Sequence, residues 1–594
     1  MNVNQVRLTA QARAGWKRHR PARLVIATAL LLLASVPALG GSPRHGRKIA
    51  PDFANFPVNS DGTVDVIIQF KNAPQSRHFQ MMADHNGKLK AKLLHINGAA
   101  YRIPVKLLDF LENHPDIGYV SPDRKNKPSF DDASPAVLAD VARQQYGLDG
   151  SGIGIAVIDS GVYSHDDLQK ADGSGSRIVY SESFVSGDPN PADAYGHGTH
   201  VAGIVAGNGT DSQSGYSQQH LGIAPGANII NLRVLDQNGG GPDSQVIAAI
   251  QRAIQLKDTY NIRVINLSVG RPVFESYTLD PLCQAVEAAW NSGIVVVVAA
   301  GNSGRDNSAG TQGYATVQSP GNDPAVITVG AINEHGTASR TDDTITSYSS
   351  KGPTLLDHIV KPDLVAPGNS IVSLLAPGST LATNLPGLVL QPPQQCSASG
   401  VCNVSSPEYL SLSGTSMATP VVSGAAALML QSDPTLTPDT IKARMMKTAW
   451  KSLPANGVVV DKAGNSYFEQ HDAFTIGAGY LDVDAALAST DIANGGAASP
   501  IAVADPSSGQ VSLVNSPSVT GTTIFNNSNT WSNGQVWGNC TILSNSILWG
   551  DAAVWNQAGT AAFTITWSNT ITWGDTITWG DTITWGDSIL WGDD

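Results

Sequence analysis

Ile153-Gly154-Ile155-Ala156-Val157-Ile158-Asp159-Ser160-Gly161 is the stretch on which the fold turns. It is an apolar, largely β-branched run that ends on an acid followed by glycine. A short continuous apolar run suits a strand covered on both faces. Similar runs recur at Ile229–Val234, Val264–Ser268, Ile294–Ala299 and Val326–Val329. Between them lie helical patterns at His197–Ala206, Asp243–Lys257, Asp280–Ser292 and Thr415–Gln431. Apolar strands alternating with helices predict an α/β fold of three layers, with a mostly parallel central sheet. Ligands of such sheets bind at the carboxyl ends of the strands, so polar residues at those ends are the candidates for chemistry.

Four segments supply them. Asp159 closes the first run. Gly196-His197-Gly198-Thr199-His200 opens a glycine-rich helix. Ala299-Ala300-Gly301-Asn302 carries a buried strand into an amide. Ser413-Gly414-Thr415-Ser416-Met417-Ala418-Thr419-Pro420 opens a helix of small residues. That placement sets Ser416 at a helix N-terminus, where unpaired N–H groups and the dipole favour a developing anion. An acid, a base, an amide and a nucleophile follow one another along the chain.

In that order and in those segments, roughly 145–485 resembles the subtilisin-like serine proteases. The resemblance implies Ser416 as nucleophile, His197 as general base and then acid, and Asp159 as the group that orients the imidazole. It implies the Asn302 amide and the Ser416 N–H as oxyanion donors. Ser268-Val269-Gly270 would bind substrate backbone and wall the primary pocket, with Ala299-Ala300-Gly301 opposite. Gly239-Gly240-Gly241 would be the second edge along an extended peptide, which glycine lets approach closely. His200 is read as a packed helix residue. The pocket shows no acid at its base, so apolar or medium-sized side chains are expected over Lys or Arg.

Departures from the family pattern are specific. The family's Pro-His-Val is Pro420-Val421-Val422 here. The stretch between Ala366-Pro367-Gly368 and Ser416 is longer than in compact members, and is expected to rim the cleft. It carries Cys396 and Cys402, which export would join in a small disulfide loop. Cys283 is expected as a buried free thiol. Asp167 falls where the family has a calcium ligand, but the local spacing is one residue shorter and the loop Gly207–His220 differs in length. A structural calcium and a plain helix or turn cap therefore stand as alternatives. No cofactor is required for the chemistry.

The rest of the chain frames this region. Arg7, Arg13, Lys17, Arg18, Arg20 and Arg23 precede an apolar run, Leu24 to Val36, and then Ala38 and Gly40. Thirteen residues reach about 20 Å as helix, short of the roughly 30 Å hydrocarbon core. Residues 1–40 therefore read as a signal peptide, and the protein as secreted with no transmembrane span. Its loss takes the net charge from −13 to −19 (−13 − 6). An acidic balance of 49 Asp+Glu against 36 Lys+Arg argues against a nucleic-acid partner.

Residues 41–125 read as a small α+β unit: a strand at 64–70, a helix through Val105, Leu108 and Leu111, and a short strand at Tyr119-Val120. By resemblance it is an inhibitory propeptide, with an exposed linker over 121–135. Residues 126–490 are expected to be the catalytic domain, cleaving polypeptide substrates. Residues 491–594 form a linker and a tail in which Trp531, Trp537, Trp549, Trp555, Trp567, Trp573, Trp579, Trp585 and Trp591 are spaced by six or twelve. A period of six keeps every Trp on one side of a strand, and Thr-Ile-Thr-Trp-Gly-Asp alternates strand and turn residues. A three-sided β-solenoid or a meander fits. Self-stacking is one role for this tail; cell-surface or carbohydrate contact is another. The competing function is an inactive protease-fold adhesion protein acting through that tail. An esterase is disfavoured because no Gly-x-Ser-x-Gly elbow is present.

Overall fold

The computed structural model describes residues 48–49, 59, 61–93, 97–122, 133–170, 172–214, 216, 218–308, 311–392, 395–396, 402–403, 406–460, 465–505, 510–515, 536 and 582–584. The expected signal peptide and most of the tryptophan repeats lie outside them. The chain divides into two units, Met1–Asn126 and Lys127–Asp594.

In the first unit, β1 (Thr63–Phe70), α1 (Ser76–Asp84), β2 (Lys88–Leu93), β3 (Gly98–Pro104), α2 (Leu107–Asn113) and β4 (Ile117–Pro122) form an antiparallel sheet in the order β2-β3-β1-β4. Burial alternates along β1, so Val64, Val66, Ile68 and Phe70 face the core with Met82, Leu107 and Leu111. The strand, helix and second strand expected from sequence are all present. β2 and β3 were not foreseen: β2 is polar and mostly exposed, which hides it from a hydrophobicity pattern.

The second unit begins earlier than a linker over 121–135 would allow. α3 (Ala133–Ala136) buries Ala133, Ser134 and Ala136, and α4 (Ala139–Tyr146) follows. Then come β5 (Gly154–Asp159), β6 (Ile178–Ser183), α5 (His197–Ala206), β7 (Asn228–Arg233), β8 (Gly240–Pro242), α6 (Asp243–Tyr260), β9 (Ile262–Leu267), α7 (Pro281–Asn291), β10 (Val295–Ala299), β11 (Ile327–Asn333), β12 (Thr344–Ile345) and β13 (Leu364–Pro367). The main sheet runs β12-β11-β10-β9-β5-β7-β6, with β13 also on β11. Every pairing is parallel except β11 with β12.

All residues of β5, β10 and β11 are buried, which requires cover on both faces. α6 and α7 pack together against β5, β9 and β10; α5 packs with α9 (Thr415–Ser432) against β5, β9, β10, β11 and β13. α8 (Thr380–Asn384) lies between them in sequence. α9 is buried continuously from Thr415 to Leu430, a helix apolar all round because sheet and helix enclose it.

The unit also runs past the end expected at 490. Val360 N–H donates to the Pro500 carbonyl and Ala502 N–H to His358, both at 2.8 Å, and a hairpin joins Ile501–Asp505 to Gln510–Val514. Val536 is fully buried in an apolar cluster with Phe474 and Ala502. Of the repeat region, Thr582–Thr584 is described as a strand, antiparallel to β8. Its partner is the enzyme edge, where sequence reasoning expected a neighbouring repeat. Among the described residues, no helix is long and apolar enough to cross a membrane.

Candidate active site

Asp159 ends β5 with no exposure. Its Oδ1 lies 2.8 Å from His197 Nδ1 and accepts the Ser160 N–H at 2.7 Å. His197 is the first residue of α5. Gly198 explains how the helix backs so closely onto β5: a Cβ there would meet the Gly161 carbonyl at 2.2 Å. The turn into the helix is held by Asp193, which sequence reasoning passed over. Asp193 Oδ1 accepts Gly196 N–H at 2.6 Å and the Ser160 hydroxyl at 2.8 Å; Oδ2 accepts Thr199 N–H and Oγ1. Burial pushes its carboxyl up against those donors. Asp193 lies three residues before the N-cap Gly196, outside the ordinary capping position, so no local signal marked it.

His200, one turn along from His197, sits between two carbonyls, with Nε2 at 3.1 Å from both Ile371 O and Leu410 O. Two acceptors place the proton on Nε2. Burial drives its pKa down to about 3, so it is a neutral packing residue, as expected.

Ser416 is the second residue of α9 and almost fully buried. Its Oγ donates to the Ser268 carbonyl at 3.3 Å, and Ser268 Oγ donates to the Ser416 carbonyl at 2.8 Å. Asn266 and Ser423 extend this lock at 3.0 and 2.8 Å. The substrate edge Ser268-Val269-Gly270 is thus tied to the serine helix. Asn302 Oδ1 accepts Thr415 N–H at 2.9 Å and Thr415 Oγ1 at 3.1 Å, which turns its amide nitrogen the other way. That nitrogen and the Ser416 N–H border one space: a Cβ on Gly414 would lie 3.2 Å from Asn302 Nδ2 and 3.7 Å from Ser416 N. Two donors bordering one space near a serine hydroxyl are what the expected oxyanion hole requires.

Gln318 lies between the two predicted pocket walls. A Cβ on Gly270 would meet its Oε1 at 2.8 Å, and one on Gly301 its Cγ at 2.8 Å. Backbone bonds clamp the same segment: Gln318 N–H to Ala300 O at 3.0 Å, and Ser319 with Arg271 in both directions. Gln318 arrives from a loop distant in sequence, and its residue type gave no hint. It is neutral, consistent with a pocket without an acid.

The second edge is a tight turn. Asp236 N–H donates to the Gly240 carbonyl at 2.8 Å, and Asp236 Oδ1 accepts Gly240 N–H at 3.1 Å. Gly239 has φ +79°, and a Cβ on Gly241 would meet the Val234 carbonyl at 2.1 Å. α8, from the long insertion, joins this edge to the histidine segment. Thr380 N–H bonds Ala194 O, Leu381 N–H bonds Tyr195 O, and Thr380 Oγ1 bonds Gln237 O at 2.8 Å. The insertion therefore rims the cleft.

Asp167 belongs to a different group. Its Oδ1 accepts Asp211 N–H at 2.8 Å and its Oδ2 accepts the Tyr409 hydroxyl at 2.5 Å. His165 Nδ1 lies 3.5 Å from Asp211 Oδ2, and His165, Asp167 and Asp211 each present one ligand atom within 4.8 Å of the others. Calcium takes about six to eight oxygens. Here both Asp167 oxygens are taken by protein donors and the nearest third group is an imidazole, so these residues do not fit calcium. Cys283 is a buried free thiol whose pKa burial raises well above the usual value. Cys396 stands directly opposite Cys402 in a short antiparallel pair.

The model of the subtilase family matches residues 150–479. Serine protease AprX of Bacillus subtilis is 38% identical over 407 residues, 66% of this chain and 85% of that protein. Subtilisin E of the same organism is 33% identical over 374 residues, 62% of this chain and 80% of its own. A solved cold-adapted subtilisin-like serine proteinase covers 54% of this chain and 89% of its own at 30% identity, with a TM-score of 0.36. The family match and the serine protease relatives define the class, a serine endopeptidase. The chain belongs to the subtilase family.

Proposed function

We propose that this chain is a secreted serine endopeptidase made as a zymogen, acting through Asp159, His197 and Ser416. The carrying observation is the 2.8 Å contact of His197 Nδ1 with Asp159 Oδ1; the helix that His197 opens packs against α9, which carries Ser416 in its first turn. With Nδ1 engaged by the carboxylate, Nε2 is the basic nitrogen. It takes the Ser416 proton as Oγ attacks the scissile carbonyl, and Asp159 stabilises the imidazolium. The tetrahedral oxyanion accepts from Asn302 Nδ2 and Ser416 N–H. His197 then protonates the leaving amine, and water hydrolyses the acyl-Ser416 ester by the same route. No step requires a cofactor.

The substrate is an extended polypeptide lying between Ser268–Gly270 and Gly239–Gly241, its primary side chain between Ala299–Gly301 and Gln318. A neutral base favours apolar or medium-sized side chains. Residues 1–40 direct export, and the unit within 41–125 acts as the inhibitory propeptide. A fluorophosphonate probe tests the reading: labelling of the processed protein that disappears in Ser416→Ala supports it, and labelling that persists in that variant overturns it.

A further inference from the structure

The β8 edge has a strand partner, and it comes from the far end of the same chain. Thr582 pairs with Pro242, Ile583 with Gly241 and Thr584 with Gly240, antiparallel. Among the described residues, β8 has no other strand neighbour. Pro242 has no N–H, and the N–H and carbonyl of Gly240 are both used by Asp236. The bonds of this ladder therefore centre on Gly241 opposite Ile583. Gly239–Gly241 is also the edge assigned to extended substrate under the reading above.

We infer that the repeat tail is a tethered pseudo-substrate that occupies the Gly240–Pro242 edge and competes with polypeptide substrates for it. Three features of the chain support this. The ladder uses backbone bonds, the means by which an extended peptide adds to a sheet edge. Thr and Ile are β-branched, so the segment is biased toward the extended conformation before it binds. The segment recurs as Thr564-Ile565-Thr566, Thr570-Ile571-Thr572, Thr576-Ile577-Thr578 and Thr582-Ile583-Thr584, each followed by Trp. The sequence holds four copies of this segment in one chain, and tethering makes pairing with the edge an intramolecular event. A three-residue strand of modest affinity is enough under those conditions. The inference rests on the assignment of this edge to substrate.

The test uses the full chain with Ile565, Ile571, Ile577 and Ile583 each changed to Pro, which removes the N–H and blocks the ladder. In processed protein retaining its tail, the apparent KM for a short chromogenic peptide should fall about three- to tenfold, with rates converging at saturating substrate. An unchanged KM in protein that still takes the fluorophosphonate label overturns the inference and leaves the protease reading standing. A second measurement needs no catalysis. In a Ser416→Ala background, hydrogen exchange at the Gly241 amide should be protected by the natural tail and exposed by the proline tail. Equal exchange in both chains overturns the inference. Protection lost with the proline tail, in a protein whose natural Ser416 takes no label, upholds the strand contact and sinks the protease reading.

Discussion

Two buried polar clusters in the catalytic unit are built on opposite terms. Around Asp363, every group is saturated. Lys361 Nζ bonds Asp363 Oδ2 at 2.7 Å and the Val326 carbonyl at 3.0 Å. Lys442 Nζ reaches Pro324 O, Val326 O and Ser499 Oγ at 2.7, 2.9 and 2.9 Å. Asp363 also accepts Thr328 N–H and the Ser499 hydroxyl. Burial alone would raise this carboxyl, yet the two lysines hold it below the usual range. Around Asp159, capacity is left over. Asp159 Oδ2 has no hydrogen-bond partner among the described residues. Ser416 Oγ makes only a long bond at 3.3 Å, and the Asn302 amide nitrogen has no acceptor among the described residues. Burial of charge does not distinguish the two clusters; hydrogen-bonding capacity left open does.

That contrast can be broken at several points. The largest effect is expected for Asp159→Asn, which leaves packing intact but offers His197 the wrong partner. Turnover should fall about 10⁴-fold with little change in melting temperature, measured by peptide hydrolysis and calorimetry on one preparation. A similar loss of both activity and stability would mean that the Asp159 cluster is structural too. Lys442→Met tests the other side. It strips a cation from Asp363 and three acceptors, and should cost about 3–5 kcal/mol of stability, read from denaturant midpoints. Molecules that remain folded should keep their kcat.

Asn302→Ala should lower kcat by about 10²–10³ with KM nearly constant, a magnitude borrowed from a subtilisin. A rise in KM alone would reassign that amide to ground-state binding. Gln318→Glu should shift a peptide-library profile toward Lys and Arg by about tenfold, on the order of one buried charge-assisted hydrogen bond. An unchanged profile would remove Gln318 from the pocket.

The remaining test concerns pH. His200 has a folded pKa lowered to about 3 by burial, from 6.5. Between those values the unfolded chain binds the extra proton, so stability is present above pH 6.5 and is lost as pH falls toward 3. His200→Gln should flatten that part of the stability profile, and a parallel loss in both proteins would assign the acid sensitivity elsewhere.

The residues proposed to perform chemistry were legible because chemistry demands particular types at strand and helix ends. Asp159 after β5, His197 at the start of α5, Asn302 after β10 and Ser416 at the start of α9 all fell where the apolar pattern changed to polar. Asp193 and Gln318 were missed for different reasons. Asp193 is one acid among many, and its importance comes from four donors that converge only when Ser160 folds onto the helix. Gln318 lies between Gly270 and Gly301 because three separate segments meet, and no local pattern records that meeting. The hydroxyl that Asp167 Oδ2 accepts comes from Tyr409, 242 residues away, a contact no local pattern records.

By itself, the sequence determined the fold class and the chain order of the proposed acid, base and nucleophile. A strand covered on both faces must be continuously apolar, and few residue types can serve as nucleophile, base and orienting acid. Only the tertiary structure decided what lines the primary pocket, that the insertion at α8 rims the cleft, that the catalytic unit continues to about residue 514, and that a Thr-Ile-Thr strand of the tail lies on β8. Those outcomes depend on contacts between distant segments, and backbone pairing or a neutral side chain in such a contact leaves no periodicity to read.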